Sequence, residues 1–293
     1  CISSLLLGLM VCEFGGVFIA KMIAHIEWSN RFKEDQVARQ IFQDKHHSIT
    51  NSVGMEFQEI PEGEYRTSHN DPNTSDENPY QITITKPFYI GIYEVTQSQY
   101  EALMGTNPSL FKGERIPVYN LTIKEIEQFI EKLNALPEER EAGRHYDLPT
   151  MAQWEYAARA GSTSDFCFGA DPSKLEYYAW FRKNQNSSRR VRDLTKGRYV
   201  CSPFPVGQKE PNRWGLYDMH GNISELSRDC RVTDFMNSEI DPVGALHGNQ
   251  ILFLGGNASD TALGCRAVSR SLVDVSDGRF SDPLGFRLIM TKD

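Results

Sequence analysis

The sequence predicts an α+β fold, with one domain over residues 51–293 that has a few helices in its first half and a loop-rich second half. Three helix start signals lie between residues 96 and 153. After residue 162 the apolar runs are short, are broken by Gly, Pro, Ser and Asn, and keep no helical period beyond two turns. With 40% hydrophobic and 11% aromatic residues among 293, the chain can bury a sizeable core. A disordered, coiled-coil or collagen-like chain is therefore excluded.

Residues 1–24, CISSLLLGLMVCEFGGVFIAKMIA, are almost wholly apolar and would cross the hydrocarbon layer of a membrane as a helix. They predict a signal peptide or membrane anchor, and hence an exported protein, periplasmic or at the cell surface. A buried amphipathic core helix is the alternative, because Glu13 and Lys21 are costly at mid-span. In residues 25–50, apolar side chains at near-helical intervals among mixed charges predict a helical stalk or linker.

The domain begins with strands. Residues 52–65, SVGMEFQEIPEGEY, alternate apolar and polar side chains around a Pro-Glu-Gly turn, and residues 80–96, YQITITKPFYIGIYEVT, combine alternation with β-branched residues. Both patterns are typical of strands. The segment between them, TSHNDPNTSDENP, predicts a polar loop.

Three helices follow, each with an N-terminal cap. The first opens at Thr96 and ends at Gly105, and the second opens with a capping box that starts at Thr122. The third opens at Thr150 and stops at Gly161. Its apolar row at helical spacing predicts a core helix with a scaffold role.

Charge and cysteine spacing exclude several function classes. The 31 Lys and Arg against 39 Asp and Glu give a net charge of -8, which argues against a nucleic-acid partner. No two of the six cysteines form a C-x-x-C pair, so a zinc knuckle and a thioredoxin-like site are not indicated. The four cysteines beyond the N-terminal segment either form up to two disulfides or stay as buried small side chains. No G-x-S-x-G or phosphate-loop motif is present.

Six ordered motifs between residues 52 and 289 resemble one known family. The motifs are GMEFQEIPEGEY, PFYIGIYEVTQSQYEALMGTNPS, LPTMAQWEYAARAG, PVGQKEPNRWGLYDMHGNISE, LGGN and LGFRL. Together they resemble the formylglycine-generating enzyme family, the sulfatase-modifying factor domain. The resemblance implies a C-type-lectin-like fold, with little regular structure around a small antiparallel sheet, and structural calcium.

The resemblance also implies a place for the calcium. The carboxylate ligand would be Glu225, and the carbonyl ligands would come from His220, Gly221 and Ile223, since calcium takes several oxygens. The alternative is that Glu225 accepts hydrogen bonds from nearby backbone amides. A second family site would fall around residues 184–185, where the match is looser. In LGFRL, Arg287 is expected to be an ion-pair partner and not a catalytic group.

Active family members hold copper(I) with two cysteines five residues apart, after the Gly-Gly turn, and these bind the substrate cysteine. The two positions fall here at Ala262 and Ala267, and only Cys265 lies between them. One thiol does not make a two-coordinate copper site, so copper is not expected. Cys265 is interpreted as a buried thiol or disulfide partner, or alternatively as a reactive thiol whose pKa Arg266 lowers. The family's Trp-Glu-Trp is here Ser224, Glu225 and Leu226.

These observations predict a family domain that has lost the oxidase and binds a ligand or partner through the polar residues 257–283. The residues expected to bind are Asn257, Arg266 and Arg270; a merely solvated loop is the alternative. The partner would be a sulfatase, another protein or peptide, or a glycan, with membrane contact through residues 1–24 if they stay attached. The enzyme alternatives are an oxidase that converts a sulfatase cysteine to formylglycine and an iron-dependent sulfoxide synthase. The scattered histidines argue against the second.

Overall fold

Two sheets and two hairpins form the framework of the domain, and helices pack around them. The computed structural model describes residues 29–67, 80–185, 190–193, 198–230, 240–244, 250–274 and 283–292. Residues 1–24, most of the polar loop between the first strands, and residues 275–282 of the predicted binding segment lie outside the described residues. Within the described residues, no helix is both long enough and apolar enough to span a bilayer.

The helices are short apart from the first and the third. They are α1 (residues 29–45), α2 (Gln97–Met104), α3 (Ile123–Ala135), α4 (Pro137–Glu141), α5 (Met151–Arg159) and α6 (Leu175–Tyr178), with 3-10 turns at Pro172–Lys174 and Ala262–Cys265.

Thirteen strands are described. They are β1 (Ser48–Thr50), β2 (Glu56–Ile60), β3 (Gly63–Thr67), β4 (Tyr80–Ile84), β5 (Phe88–Gly91), β6 (Arg144–Asp147), β7 (Arg190–Asp193), β8 (Arg198–Cys201), β9 (Ser224–Cys230), β10 (Gln250–Leu254), β11 (Arg270–Asp274), β12 (Leu284–Gly285) and β13 (Ile289–Lys292).

The larger sheet has the order β1-β2-β5-β13-β6 with antiparallel pairing throughout. The second sheet has the order β11-β10-β9-β12, with only the β9–β12 pair parallel. The pairs β3–β4 and β7–β8 are antiparallel hairpins. The last strand therefore sits inside the larger sheet, and β9 sits inside the second one. The predicted α+β class and the small antiparallel sheet are confirmed.

The three predicted helix caps are present. Thr96, Thr122 and Thr150 each accept a hydrogen bond from the backbone N–H three residues later, and the side chain at that later position bonds back to the cap backbone. Gly105 closes α2 in the left-handed conformation, with φ 73°. The third predicted helix, α5, ends at Arg159 and not at the predicted Gly161, because its C-cap residue Ala160 already adopts the left-handed conformation with φ 45°.

Helix α5 is the core helix that the sequence predicts. Trp154, Ala157 and Ala158 are all buried completely, and α5 packs against β9 and β10. A side chain at Gly255 would collide with the Trp154 ring, since a Cβ there would lie 2.9 Å from it. The glycine that follows β10 thus allows the second sheet to approach the tryptophan closely.

The helix predicted upstream of the domain exists as α1, but it is not a free stalk. The Asp35 carboxylate accepts a 2.6 Å hydrogen bond from Arg213, and Arg39 donates to backbone carbonyls of the adjacent loop. Phe42 stacks on Trp214, with ring centroids 5.4 Å apart. Positions 35, 39 and 42 share one helix face, so this face is docked on the domain. The interpretation as a spacer is corrected accordingly.

Candidate functional site

A buried ion pair lies at the centre of the family-like motifs. Glu225 on β9 and Arg287, just before β13, are both essentially inaccessible to solvent. The Arg287 guanidinium donates to both Glu225 oxygens, with Nη2–Oε1 at 2.7 Å and Nε–Oε2 at 2.9 Å. Trp154 Nε1 donates to the same carboxylate at 2.7 Å. The expectation that Arg287 is an ion-pair partner is confirmed.

The other Arg287 donors are also used. Nη1 donates to the carbonyls of Gly91 and Ile92, and Nη2 donates to that of Tyr217. A buried ion pair is stable only if its remaining donors and acceptors find partners. Arg287 therefore connects β5, the loop before β9 and β9 itself through one guanidinium group.

These contacts do not fit calcium at this turn. A calcium ligand must present its oxygen lone pairs to the ion, whereas both Glu225 oxygens receive N–H donors from Arg287 and Trp154. Glu225 therefore does not fit the role of calcium ligand that the resemblance implies, whereas the part assigned to the carbonyls of His220, Gly221 and Ile223 stays a prediction. The backbone-amide alternative is also wrong, because the donors are side chains. Among the described residues, no group of three or more His, Cys, Asp or Glu could hold a metal ion.

At the second calcium position that the resemblance implies, residues 184–185, the Asn184 side chain stabilises a turn. The Asn184 side chain accepts from the N–H of Phe181 at 2.9 Å and donates to the carbonyl of Ala179 at 2.8 Å. It thereby holds the turn that follows α6. The neighbouring Gln185 keeps its side-chain oxygen buried without a protein partner.

Two more carboxyl groups, which the sequence analysis missed, lie near the ion pair. Glu94 accepts from Asn222 Nδ2 at 3.1 Å, and Asp218 accepts from the N–H of Gly207 at 2.8 Å. Burial raises the pKa of Glu94 well above its ordinary value, and it raises the pKa of Asp218 to about 6. Arg287 lowers the pKa of both carboxyls, but its guanidinium donates directly to Glu225, and it does not offset the burial of Glu94. The sequence did contain a signal for the burial of Glu94, because this acidic residue lies inside the largely apolar run GIYEVT.

His220 connects two segments that are far apart in the chain. The N–H of Cys167 donates to His220 Nε2 at 3.1 Å, so the ring proton sits on Nδ1, which faces the carbonyl of Cys265 at 2.9 Å. Burial lowers the pKa of His220 to about 4. The imidazole is therefore neutral and acts as a structural bridge.

The thiol that the sequence singled out points into the core. Cys265 has 0% exposure and packs in an apolar cluster with Phe166, Cys167 and Phe168. Burial, with a further contribution from Asp260, raises the pKa of Cys265 far above its ordinary range. Burial of the thiol does not fit the reactive-thiol alternative, and Arg266 donates to the carbonyl of Leu263. Cys167, Cys230 and Cys265 are all free, so none of the three forms a disulfide.

These residues do not fit a two-thiolate copper(I) site. Ala262 borders the Cys265 cluster, whereas Ala267 packs in the core around Trp154, so the two predicted positions lie in different surroundings. Asp260 is close enough to Cys265 to raise the pKa of its thiol. These two residues are five positions apart, the same spacing as the cysteine pair of the family. An aspartate offers a hard oxygen, which copper(I) does not favour.

The three residues predicted to bind a ligand contact different neighbours. Asn257 donates to the Ser224 hydroxyl at 3.2 Å and is mostly buried. Arg266 pairs loosely with Asp165 at 3.9 Å. Arg270 donates to the sulfur of Met151 at 3.0 Å. Within the described residues, these contacts do not join any two of the three.

The surface of this segment instead presents an apolar tip. Leu263, in the 3-10 turn, is 66% exposed. Its carbonyl accepts from Arg266 Nε at 3.0 Å and from the Ser269 hydroxyl at 2.7 Å. Two donors from the following residues thus fix the turn that carries Leu263. The sequence analysis looked for polar binders here and overlooked the leucine.

Comparison with known proteins defines the class of protein that this fold represents. The solved structure of Treponema denticola variable protein 1 superposes with a TM-score of 0.67 and 25% sequence identity, over 83% of this chain and 98% of that chain. PvdO from Pseudomonas aeruginosa superposes with a TM-score of 0.66 at 22% identity, over 83% and 97% of the two chains.

A profile of the sulfatase-modifying factor enzyme 1-like domain matches residues 47–292. The chain therefore belongs to the formylglycine-generating enzyme-like, sulfatase-modifying factor family. The chaperone protein LppX of Paenibacillus barcinonensis is 32% identical over 196 residues, which are 56% of this chain and 67% of that protein. The formylglycine-generating enzyme of Mycobacterium tuberculosis is 33% identical over 113 residues, 35% of this chain and 32% of the enzyme. The match thus spans about a third of that enzyme.

Proposed function

We propose that this chain is an exported or membrane-tethered family domain that binds a protein partner and does not oxidise cysteine. The observation that carries the proposal is the orientation of one loop. Cys265 is wholly buried, whereas Leu263, two residues earlier, is 66% exposed on a turn fixed by Arg266 and Ser269. The segment that would carry copper chemistry thus offers an apolar contact and no accessible thiol.

The chemistry of the loop supports the negative part of the proposal. Copper(I) oxidation in this family requires two thiolates, and alanine at positions 262 and 267 supplies neither. A thiol whose pKa lies far above neutrality is not a thiolate. The alternative function is an active oxidase that converts a sulfatase cysteine to formylglycine. It would require the Cys265 segment to open.

The chemistry of the tip supports a protein partner over a glycan. An exposed leucine on a fixed turn gains free energy by burying apolar surface, and the charged Asp260 and Arg266 beside it can pair with polar groups of a peptide. The similarity to a relative named as a chaperone protein supports a protein client. The apolar residues 1–24 support export.

The oxidase alternative is tested with a synthetic Cys-x-Pro-x-Arg peptide. The protein is incubated with the peptide, Cu(I), calcium, a reductant and oxygen, and the peptide mass is followed, with an active formylglycine-generating enzyme as control. We expect an unchanged mass in the sample and aldehyde formation in the control. Aldehyde formation by this protein would establish the alternative function.

The binding face is tested by exchanging one leucine. Leu263→Asp should weaken capture of a reduced, carboxymethylated unfolded protein, or of the same sulfatase-type peptide, by about tenfold, because one apolar side chain contributes about 1–2 kcal/mol when buried. Leu110→Asp is the matched control, since Leu110 is 47% exposed in the loop between α2 and α3. Equal binding by both variants, measured by calorimetry, would reject the loop as the binding face.

A further inference from the structure

A groove lies between α3 and the second sheet, and no residue of the Leu263 turn lines it. It has a volume of about 470 Å³, which is in the range of ligand pockets in proteins. Its walls come from α3, from the end of β6, and from β9 and β10. Every lining residue is within the described part of the chain.

The floor of the groove is apolar because two periodicities meet there. On α3, Ile123, Ile126 and Ile130 are spaced three and four residues apart and therefore share one face. On β9, Leu226 and Cys230 lie four residues apart and point to one face of the sheet. Ile126 and Leu226 are buried, whereas Ile123 and Ile130 are only partly covered. Part of this apolar stripe therefore stays accessible.

The rim of the groove is acidic. Glu127 and Glu131 are exposed on α3 and stand four residues apart, an arrangement in which like charges repel. On the opposite side, Asp147 pairs with Arg228 at 3.2 Å, so this arginine is engaged. Three carboxylates and one guanidinium thus give the rim a net charge of −2. A cationic partner would relieve the repulsion within α3.

We propose that this groove binds a peptide segment of another protein in which an apolar side chain is flanked by Lys or Arg. The apolar side chain would cover Ile123, Ile130 and Ile251 on the floor, and the flanking cations would face Glu127 and Glu131. Helix α3 is held by its capping box and by core contacts of Phe129 and Leu133. The groove is therefore preformed, which lowers the ordering entropy on binding.

This groove is independent of the Leu263 turn. Ser224, at the start of β9, contacts Asn257 of the loop that precedes the Leu263 turn, whereas Cys230 at the other end of β9 lines the groove. None of the residues that line the groove belongs to the Leu263 turn or to the Arg266 and Ser269 hydrogen bonds that fix that turn. Failure of the Leu263 experiment therefore leaves this proposal standing, and the reverse also holds.

The test uses three fluorescein-labelled synthetic peptides and the full chain. They are KKALFLAKK, the charge-reversed EEALFLAEE, and KKAGSGAKK without the apolar anchor. We expect KKALFLAKK to bind at least about tenfold more tightly than the other two in fluorescence anisotropy, and to weaken as salt is raised. Equal affinity for the two charged forms of the apolar peptide would overturn the proposal.

A double charge reversal then assigns the site. Glu127→Lys with Glu131→Lys should lower the affinity for KKALFLAKK by at least about tenfold and raise that for EEALFLAEE. The matched control is Glu138→Lys with Glu141→Lys on α4, where both side chains are exposed and away from the groove. The control should stay within about twofold of the unchanged protein. An unchanged affinity in the first variant would overturn the proposal.

Discussion

The charged cluster around Glu225 and the apolar cluster around Cys265 are both buried, yet they are stabilised in opposite ways. In the first, Arg287 and Trp154 donate to every acceptor of Glu225. In the second, the thiol packs among aromatic rings and stays neutral. The first cluster connects strands through charge, whereas the second holds a 3-10 turn through close packing. The difference teaches that one fold buries polar and apolar segments by different means, with paired charges in one region and packing in the other.

The largest expected effect breaks the charged cluster. Arg287→Met should lower the free energy of unfolding by about 3–5 kcal/mol, because it leaves the buried Glu225 charge without a partner. Arg228→Met is the matched control: it also removes an ion pair, with Asp147, but the two side chains are 42% and 34% exposed. Its loss should be at most about 1 kcal/mol. Similar losses in urea unfolding of the two variants would show that burial does not set the energy.

A smaller effect is expected in the apolar cluster. Cys265→Ser should destabilise the protein by about 1–3 kcal/mol, since a hydroxyl replaces a thiol among aromatic side chains. Cys265→Ala should lose only about 1 kcal/mol, because it removes little volume and adds no polar group. Urea unfolding measures both. If serine were tolerated better than alanine, the cluster would be polar, and the contrast between the two regions would disappear.

The smallest effect concerns pH. Burial raises the pKa of Asp218 from 3.8 to about 6, so the native state binds more protons than the unfolded chain between these values. Stability contributed by Asp218 is therefore lost as pH rises from about 4 to 6, with a slope of at most about 1.4 kcal/mol per pH unit. His220 acts in the opposite direction, because its pKa is lowered from 6.5 to about 4.

Asp218→Asn removes the titrating carboxyl and therefore the loss of stability that it causes as pH rises from about 4 to 6. The free energy of unfolding of the variant should then rise more steeply over this range than that of the unchanged protein. Urea unfolding at several pH values measures the slopes. The control is Asp44→Asn, on the exposed side of α1. A steeper slope in the control as well would assign the effect to net charge and not to the buried carboxyl.

Local features of the fold could be predicted from the sequence because their causes are local. Thr122 and Glu125 form a capping box within one turn, and Gly105 ends α2 through its own backbone freedom. The family motifs defined the fold for the same reason, since each motif is a short continuous segment. The ion-pair role of Arg287 followed from its place in such a motif, although its partner did not.

Features that join distant segments could not be predicted. Glu225 and Arg287 are 62 residues apart, and His220 bridges the Cys167 and Cys265 segments, which lie far apart in the chain. The docking of α1 depends on Asp35 finding Arg213, which lies 178 residues further along. No periodicity encodes such pairs. The calcium assignment failed at Glu225 for the same reason, because the cation that occupies the carboxylate comes from another part of the chain.

The position of the final strand also determines when the domain can close. Strand β13 lies between β5 and β6, and Arg287 bonds to the carbonyl of Gly91, 196 residues earlier. Contacts over such separations form late, because the intervening chain must first be brought together. Strand β6 joins the larger sheet only through β13. A chain truncated before residue 287 therefore lacks both the strand that connects β5 to β6 and the cation that neutralises Glu225.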